Sequence, residues 1–441
     1  MIREILLATA ILSVSLPAAA AVRNVRDFGA KGDGRTHDTA AIQAAIDQSA
    51  AGDIVLLPRG GTFLAGTIRL KSDLVFRIEA GARLLGSRDD RDYPDLTPPT
   101  VNSQLHNCRK SLLYAEGVKN LVIEGDADAG VPADLRATGM IDGNGANNDA
   151  WNGPELSRPM AIFIALSSHV TLRHLQVVNA GMWTVVPFED EDVLIDSLRV
   201  ESTSGPTRDG IDIVDCSRVV VRNVDVNSED DAICLKSGSA KGLHDVLVQD
   251  SIVRGSGVAN ALKFGTASVG PIENIRFENI RIDSVKQAAM AIESVDGSAI
   301  SGLSFKHIRF RNAGTAFFIL LGGRKGSPGI GSIRDVSFED IEGETILNWG
   351  SAITGSRIGE ETHALQGLRF ANIRIQSKGG LKNTPSAPLE YAGQYPDPRM
   401  WGPLPAFGLY FRHVEGLTLD TTDVQGAPGD PRSAIVKDDA R

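Results

Sequence analysis

Three aspartates in this chain are spaced so that they could do chemistry together. Asp209 lies in Thr207-Arg208-Asp209-Gly210-Ile211-Asp212-Ile213. Asp230 and Asp231 follow 21 residues after it, in Ser228-Glu229-Asp230-Asp231-Ala232-Ile233-Cys234-Leu235-Lys236-Ser237-Gly238. If that interval is one coil of a stack, Asp209 stands beside the pair on the outer face, because matching positions on adjacent strands are about 4.8 Å apart. Carboxylates so crowded cannot all ionise cheaply, and at least one pKa must rise. One carboxylic acid can then protonate a leaving oxygen while another carboxylate activates water, as glycosidic-bond cleavage requires. Aspartates also serve in turns and calcium sites. Those roles account less well for three acids gathered across coils with Lys236 alongside.

The elements that would position them repeat. From residue 118 onward a turn residue, alternating apolar positions and an Asn or Asp recur, first at Val118-Lys119-Asn120-Leu121-Val122-Ile123. Copies beginning at Val170, Val193, Val219, Val246, Ile275, Leu303, Val336, Leu368 and Leu417 are separated by 23, 26, 27, 29, 28, 33, 32 and 49 residues. Such periods mean stacked repeats, the longer steps carrying loop insertions. No copy holds a long run of helical period, and the leucine-rich pattern is absent. The spacing predicts an all-β chain: a right-handed parallel β-helix of about 10 coils. It forms a single domain over 22–441, since solenoid repeats pack only on their neighbours and escape the usual size limit of one core.

The ends of the stack need covers. A helix over 39–50, capped by Asp38 or Thr39 with Ile42 and Ile46 on one face, is the expected N-terminal lid. The stretch 379–405, rich in Pro, Gly and Tyr, reads as a long ordered loop before the last coil. Residues 1–21 begin with Arg3, continue with an apolar run from Ile5 to Leu16 and end in Ala18 to Ala21, which reads as a secretory signal peptide. The expected location is therefore periplasmic or extracellular. Cys216 and Cys234, 18 residues apart, could meet if coils stack, leaving Cys108 as a single thiol; three free thiols fit equally well. No CxxC or HExxH spacing occurs, so no metal or cofactor is expected. A net charge of −10 argues against nucleic acid or an anionic membrane as partner. A polyanionic substrate would need local cations.

The aspartate stretches resemble the catalytic core of glycoside hydrolase family 28, the polygalacturonase-like pectin hydrolases. That family carries Asn-Thr-Asp and, about one coil later, Asp-Asp followed by Ile-Lys-Ser-Gly. Here these become Thr207-Arg208-Asp209 and Asp230-Asp231 followed by Leu235-Lys236-Ser237-Gly238. Phe28-Gly29-Ala30-Lys31-Gly32-Asp33-Gly34, Arg158-Pro159 and Trp183-Thr184-Val185-Val186-Pro187 are also similar. The resemblance implies an inverting hydrolase of pectic polysaccharides or oligosaccharides, with Asp230 as general acid and Asp231 and Asp209 activating water.

Two family signatures are missing. Asn260 stands where a Gly-His-Gly histidine belongs, and Ala291-Ile292-Glu293 replaces Arg-Ile-Lys. An acid at the lysine position would repel a sugar carboxylate. Either Lys263 replaces the missing cations, or the sugar beside the scissile bond is neutral and Glu293 accepts bonds from its hydroxyls. Lys263, Asn260, Lys236, Glu293, Arg208 and Trp183 are the expected substrate-binding residues. Trp183, Tyr391, Tyr395 and Trp401 could stack on sugar faces, and a wall built from the long loop would favour exo action. His244 could approach the cleft, but nothing in its spacing demands it. Two other readings stay open: a calcium-dependent lyase on the same fold, and a non-catalytic carbohydrate-binding solenoid. A monomer is expected.

Overall fold

In a computed structural model, residues 20–126, 138–147, 151, 158–255, 257–258 and 260–441 are described. The expected signal peptide lies outside them, apart from its last two residues. The chain winds as a right-handed parallel β-helix whose strands pair almost entirely with the coils before and after. Three sheets form its faces.

The first sheet shows why the repeats were legible. Val170 pairs with Val193, Val193 with Val219, Val219 with Val246, Val246 with Ile275, and so on to Val336 with Leu368. The apolar starts found in the sequence are thus the same rung position. In a parallel stack this is self-reinforcing, since each inward side chain packs on its equivalents above and below. The sheet continues backward through Lys119–Gly125, Leu74–Ile78 and Ile54–Leu57 to Val22–Asn24. The stack is therefore longer than the roughly 10 coils expected. Its early rungs escaped notice because their strands are short and their apolar positions are interrupted by turns.

The recurring Asn or Asp after each apolar run marks a corner. His174, Ser197, Asn223, Asp250, Asn279, His307, Asp340, Asn372 and Thr421 all adopt left-handed backbone with φ between 47° and 56°. Short polar side chains tolerate that region best. They turn the chain from the first sheet into the second without ending the hydrogen-bond ladder. Amides then bridge corners: Asn279 Nδ2 donates to Asp250 Oδ1 at 2.6 Å, and Asn372 Nδ2 to Asp340 Oδ1 at 2.5 Å. Inside, Phe277, Phe305, Phe338 and Phe370 stack rung on rung with centroids 4.8 to 5.1 Å apart.

The N-terminal helix spans Thr39–Asp47, shorter than expected, and buries Ile42, Ala45 and Ile46 against the first coils. Neither expected side chain caps it. The Asp38 carboxylate instead accepts the backbone N–H groups of Lys31 and Gly32, and Thr39 Oγ1 accepts that of Gly66. All three cysteines are buried and free. Cys234 is level with Asp212, whereas Cys216 sits beyond the strand end, so stacking does not bring them together. No helix among the described residues is long and apolar enough to cross a membrane.

Candidate active site

The third sheet carries the acids. Its rungs Ile211–Val214, Ile233–Ser237 and Leu262–Ser268 stack in register, with Ile211 beside Ile233 and Ile233 beside Leu262. Counting two residues back places Asp209, Asp231 and Asn260 at one level on successive rungs. The backbone confirms it: Thr184 N–H donates to the Asp209 carbonyl, Gly210 N–H to that of Asp231, and Ala232 N–H to that of Asn260. Gly210 is required there, since a Cβ would lie 2.4 Å from the Ala232 carbonyl oxygen. One step along each strand past the ladder start, Asp212, Cys234 and Lys263 form a second outward row.

These rows face a groove of about 300 Å³ lined by Asp209, Asp230, Asp231, Lys236, Lys263 and Trp183, among others. The three expected aspartates are brought together, pointing outward into one cleft. Asp209, Asp231 and both lysines are nonetheless less than a tenth exposed. Lys236 Nζ donates to Asp209 Oδ2 at 2.9 Å and to Asp212, and it sits 4.1 Å above the Trp183 ring. Lys263 Nζ lies 2.9 Å from Asp231 Oδ2 and 3.8 Å from Glu293 Oε2.

Burial and crowding separate the carboxyls. Burial, then the nearby Asp209 and Asp231 charges, push Asp230 up to about 8, against partial relief from Lys263 and Lys236. Burial also acts to raise Asp231, but Lys263, Lys236 and the Asn260 amide outweigh it and hold this carboxyl below the ordinary range. Burial and the Asp212 carboxylate push Asp209 up. Burial raises Glu293 to about 7. At neutral pH the groove thus pairs a protonated Asp230 with an ionised Asp231. That is an acid and a base held side by side.

Several expected contacts are placed elsewhere. Asn260 does not line the groove: its Nδ2 donates to Asp231 Oδ1 at 2.8 Å and its Oδ1 accepts Ala288 N–H at 3.1 Å, so it positions the carboxylate. Glu293 is fully buried behind the groove, its Oε2 3.0 Å from Thr266 Oγ1, with no hydrogen bond to Oε1 among the described residues. Arg208 points inward, donating through Nε to the Ala180 carbonyl at 2.8 Å. Asp209, the next residue of the turn before the Ile211–Val214 strand, takes the outward position. Trp183 reaches the groove, but Lys236 covers its face. Tyr391 is buried with its hydroxyl on the Gln394 carbonyl, and Trp401 packs against Phe318. His244 bonds to the Lys241 carbonyl, away from the cleft.

Apart from Tyr395, the other residues in and around the groove were not among the expected contacts. Asp212 shares Lys236 with Asp209. Arg158 reaches the Pro206 carbonyl at 2.6 Å and Thr207, bracing the turn that delivers Asp209. A bulge between Leu235 and Ser237 and their partners pushes Thr266 outward. Tyr395 arrives from the long loop, its hydroxyl 3.0 Å from Thr266 Oγ1 and 3.4 Å from Lys263 Nζ. Gln104, His106 and Asn107 come from a loop tied to the Lys236 rung by Ser103 N–H donating to the Gly238 carbonyl at 2.8 Å. A larger groove of about 580 Å³ lies along the second sheet, where Arg309 pairs with Glu342 and Arg311 with Asp283.

Residues 133–242, which include all three aspartates, match the model of the glycosyl hydrolases family 28, and residues 22–80 match "Rhamnogalacturonase A/epimerase, pectate lyase-like". A probable polygalacturonase of Vitis vinifera is 25% identical, over 58% of this chain and 53% of its own length. An exo-poly-alpha-D-galacturonosidase of Dickeya chrysanthemi is 24% identical, over 64% and 58%. Over its acid-bearing stretch the chain is similar to glycoside hydrolase family 28. It spans between half and three-fifths of the length of these two curated relatives. The fold is also that of the family 28 exopolygalacturonase of Yersinia enterocolitica. The two superpose with a TM-score of 0.66 at 18% identity, covering 96% of this chain and 78% of the other.

Proposed function

We propose that this protein is an inverting glycoside hydrolase acting on pectic polysaccharides or their oligosaccharides. The observation that carries the reading is the split within the acid cluster. Asp230, raised to about 8, keeps the proton a leaving glycosidic oxygen needs, while Asp231, held low by Lys263 and Asn260, accepts a proton from water. Asp209, on the neighbouring rung and held by Lys236 at 2.9 Å, is placed to orient that water. The relatives named above, all pectin hydrolases by description, support the substrate class.

Inversion is read directly from the product. Proton NMR during the first minutes of hydrolysis should show a new reducing end with anomeric configuration opposite to the bond cut. Retention would sink the two-carboxylate displacement by water. A product absorbing in the ultraviolet, lost on adding a chelator, would replace hydrolysis with elimination.

Tyr395 supports action from a chain end, because its bond to Thr266 walls the groove on one side. Release of only single units or dimers from a long polymer, with slow loss of viscosity, tests this. Export under the 1–21 leader and function as a monomer belong to the same proposal. Mass spectrometry of the mature N-terminus and sedimentation check them.

A further inference from the structure

The cations of the groove are all occupied by the protein's own acids. Lys236 holds Asp209 and Asp212, and its remaining side is covered by the Trp183 ring. Lys263 pairs with Asp231 at 2.9 Å, lies 3.8 Å from the Glu293 carboxylate and donates to the Tyr395 hydroxyl at 3.4 Å. Arg324, at the rim, clamps Asp296 with Nε at 2.5 Å and a terminal nitrogen at 2.7 Å. His106 donates from Nδ1 to the Ser103 carbonyl at 2.6 Å. Against these three cations stand Asp209, Asp212, Asp230, Asp231, Glu293 and Asp296.

We propose that the groove takes an uncharged glycosyl unit against Lys263, and that Glu293 enforces this choice by keeping that ammonium neutralised. This rests on the hydrolase reading and names the class of unit at the cut. A sugar carboxylate entering here would have to displace Asp231 or Glu293 from Lys263, stranding a buried acid without its partner. A hydroxymethyl or methyl group in the same place asks for no such exchange. Its neighbouring hydroxyls find Thr266 and Tyr395, which give and accept hydrogen bonds without charge. Glu293 lies behind the groove wall, on Thr266 and beside Lys263, and acts through that lysine, so it is a positioning residue that sets specificity by what it denies the ligand.

The test uses Asp230→Asn, whose amide imitates the protonated acid and which binds without cutting. Two probes of the same length and linkage are compared: an α-1,4-linked oligogalacturonate, and the same oligomer with its carboxylates reduced to hydroxymethyl groups. Titration calorimetry at pH 7 should show the neutral oligomer bound at least about tenfold tighter. Equal or tighter binding of the anionic oligomer overturns the proposal, as does binding of neither. Adding Glu293→Gln should shift the ratio about fivefold toward the anionic oligomer, because Lys263 loses one of its two acids. An unchanged ratio, with the neutral oligomer still bound, removes Glu293 from the role. The two layers fail separately. A wild-type protein that binds the neutral oligomer but releases no reducing ends from any pectic polymer loses the hydrolase reading and keeps the charge preference. One that cuts polygalacturonate in preference to its reduced form does the reverse.

Discussion

Two sets of carboxylates are stacked across rungs of this solenoid, and they behave oppositely. At the corner between the first two sheets, Asp250 and Asp340 meet the amides of Asn279 and Asn372 near the surface, and the Asn372 bond holds Asp340 below its ordinary range. In and behind the groove, Asp209, Asp212, Asp231 and Glu293 share two lysines and are almost fully buried, with Asp230 partly exposed beside them. Adjacency is the same in both places, because the ladder imposes it. What differs is burial and the supply of donors. Stacked acids are ordinary in such a fold, and they become reactive where solvent is removed and cations are too few to satisfy each one.

The sharpest way to break this comparison is Asp230→Asn, which removes the groove's proton donor and leaves the fold. Turnover should fall by about 10²–10⁴-fold with an unchanged circular dichroism spectrum. Retained turnover would place the acid elsewhere.

Lys263→Met should come next, costing about 3–5 kcal/mol in denaturant unfolding, since Asp231 and Glu293 would stay buried without a cation. The exposed Arg311–Asp283 pair offers the contrast. Arg311→Met should cost less than about 1 kcal/mol.

The pH dependence sharpens the comparison further. A general acid raised to about 8 is active when protonated, so turnover should drop as pH rises through about 8. Stability follows the same sign. Between the unfolded value near 4 and the folded value near 8, the native state holds a proton the unfolded chain has lost, so stability declines as pH rises across that window. Asp230→Asn should flatten the decline; a melting profile as steep as wild type would show that the displaced pKa belongs to another group.

The smallest effect is expected at the corner. Asn279→Ala should cost about 0.5–1.5 kcal/mol and leave turnover unaltered, because one exposed amide bridge is lost and no charge is stranded.

The sequence carried the solenoid plainly because inward positions repeat at every coil, and the apolar starts from Val170 to Leu417 are one structural position. It also carried the acid cluster, since one rung here is 22 residues, which sets Asp209 level with Asp231 and leaves Asp230 next to it. Facing direction was harder. Arg208 adjoins Asp209 yet points into the body, and Asn260 turned out to grip Asp231. The parity of Asn260 with the inward Leu262 does not decide this, since Asp209 and Asp231 share that parity and line the groove. Asp212 was legible in principle: it lies on the outward row of Lys263 and within reach of Lys236. Thr266 depends on a bulge, and Gln104, His106 and Tyr395 on loops whose return paths no periodicity encodes. Cys216 and Cys234 show the limit of counting residues, because the strand boundary between them decides their levels.

The wall formed by Tyr395 comes from an excursion that interrupts the coils more than 130 residues after Lys263. On the end-wise reading proposed above, the acids and the limit on product length are therefore carried on separate parts of the chain. Trimming or regrafting that excursion alters how many sugars fit while leaving every rung of the acid-bearing ladder in place. A lineage can in this way drift between trimming chain ends and cleaving mid-chain by editing one loop.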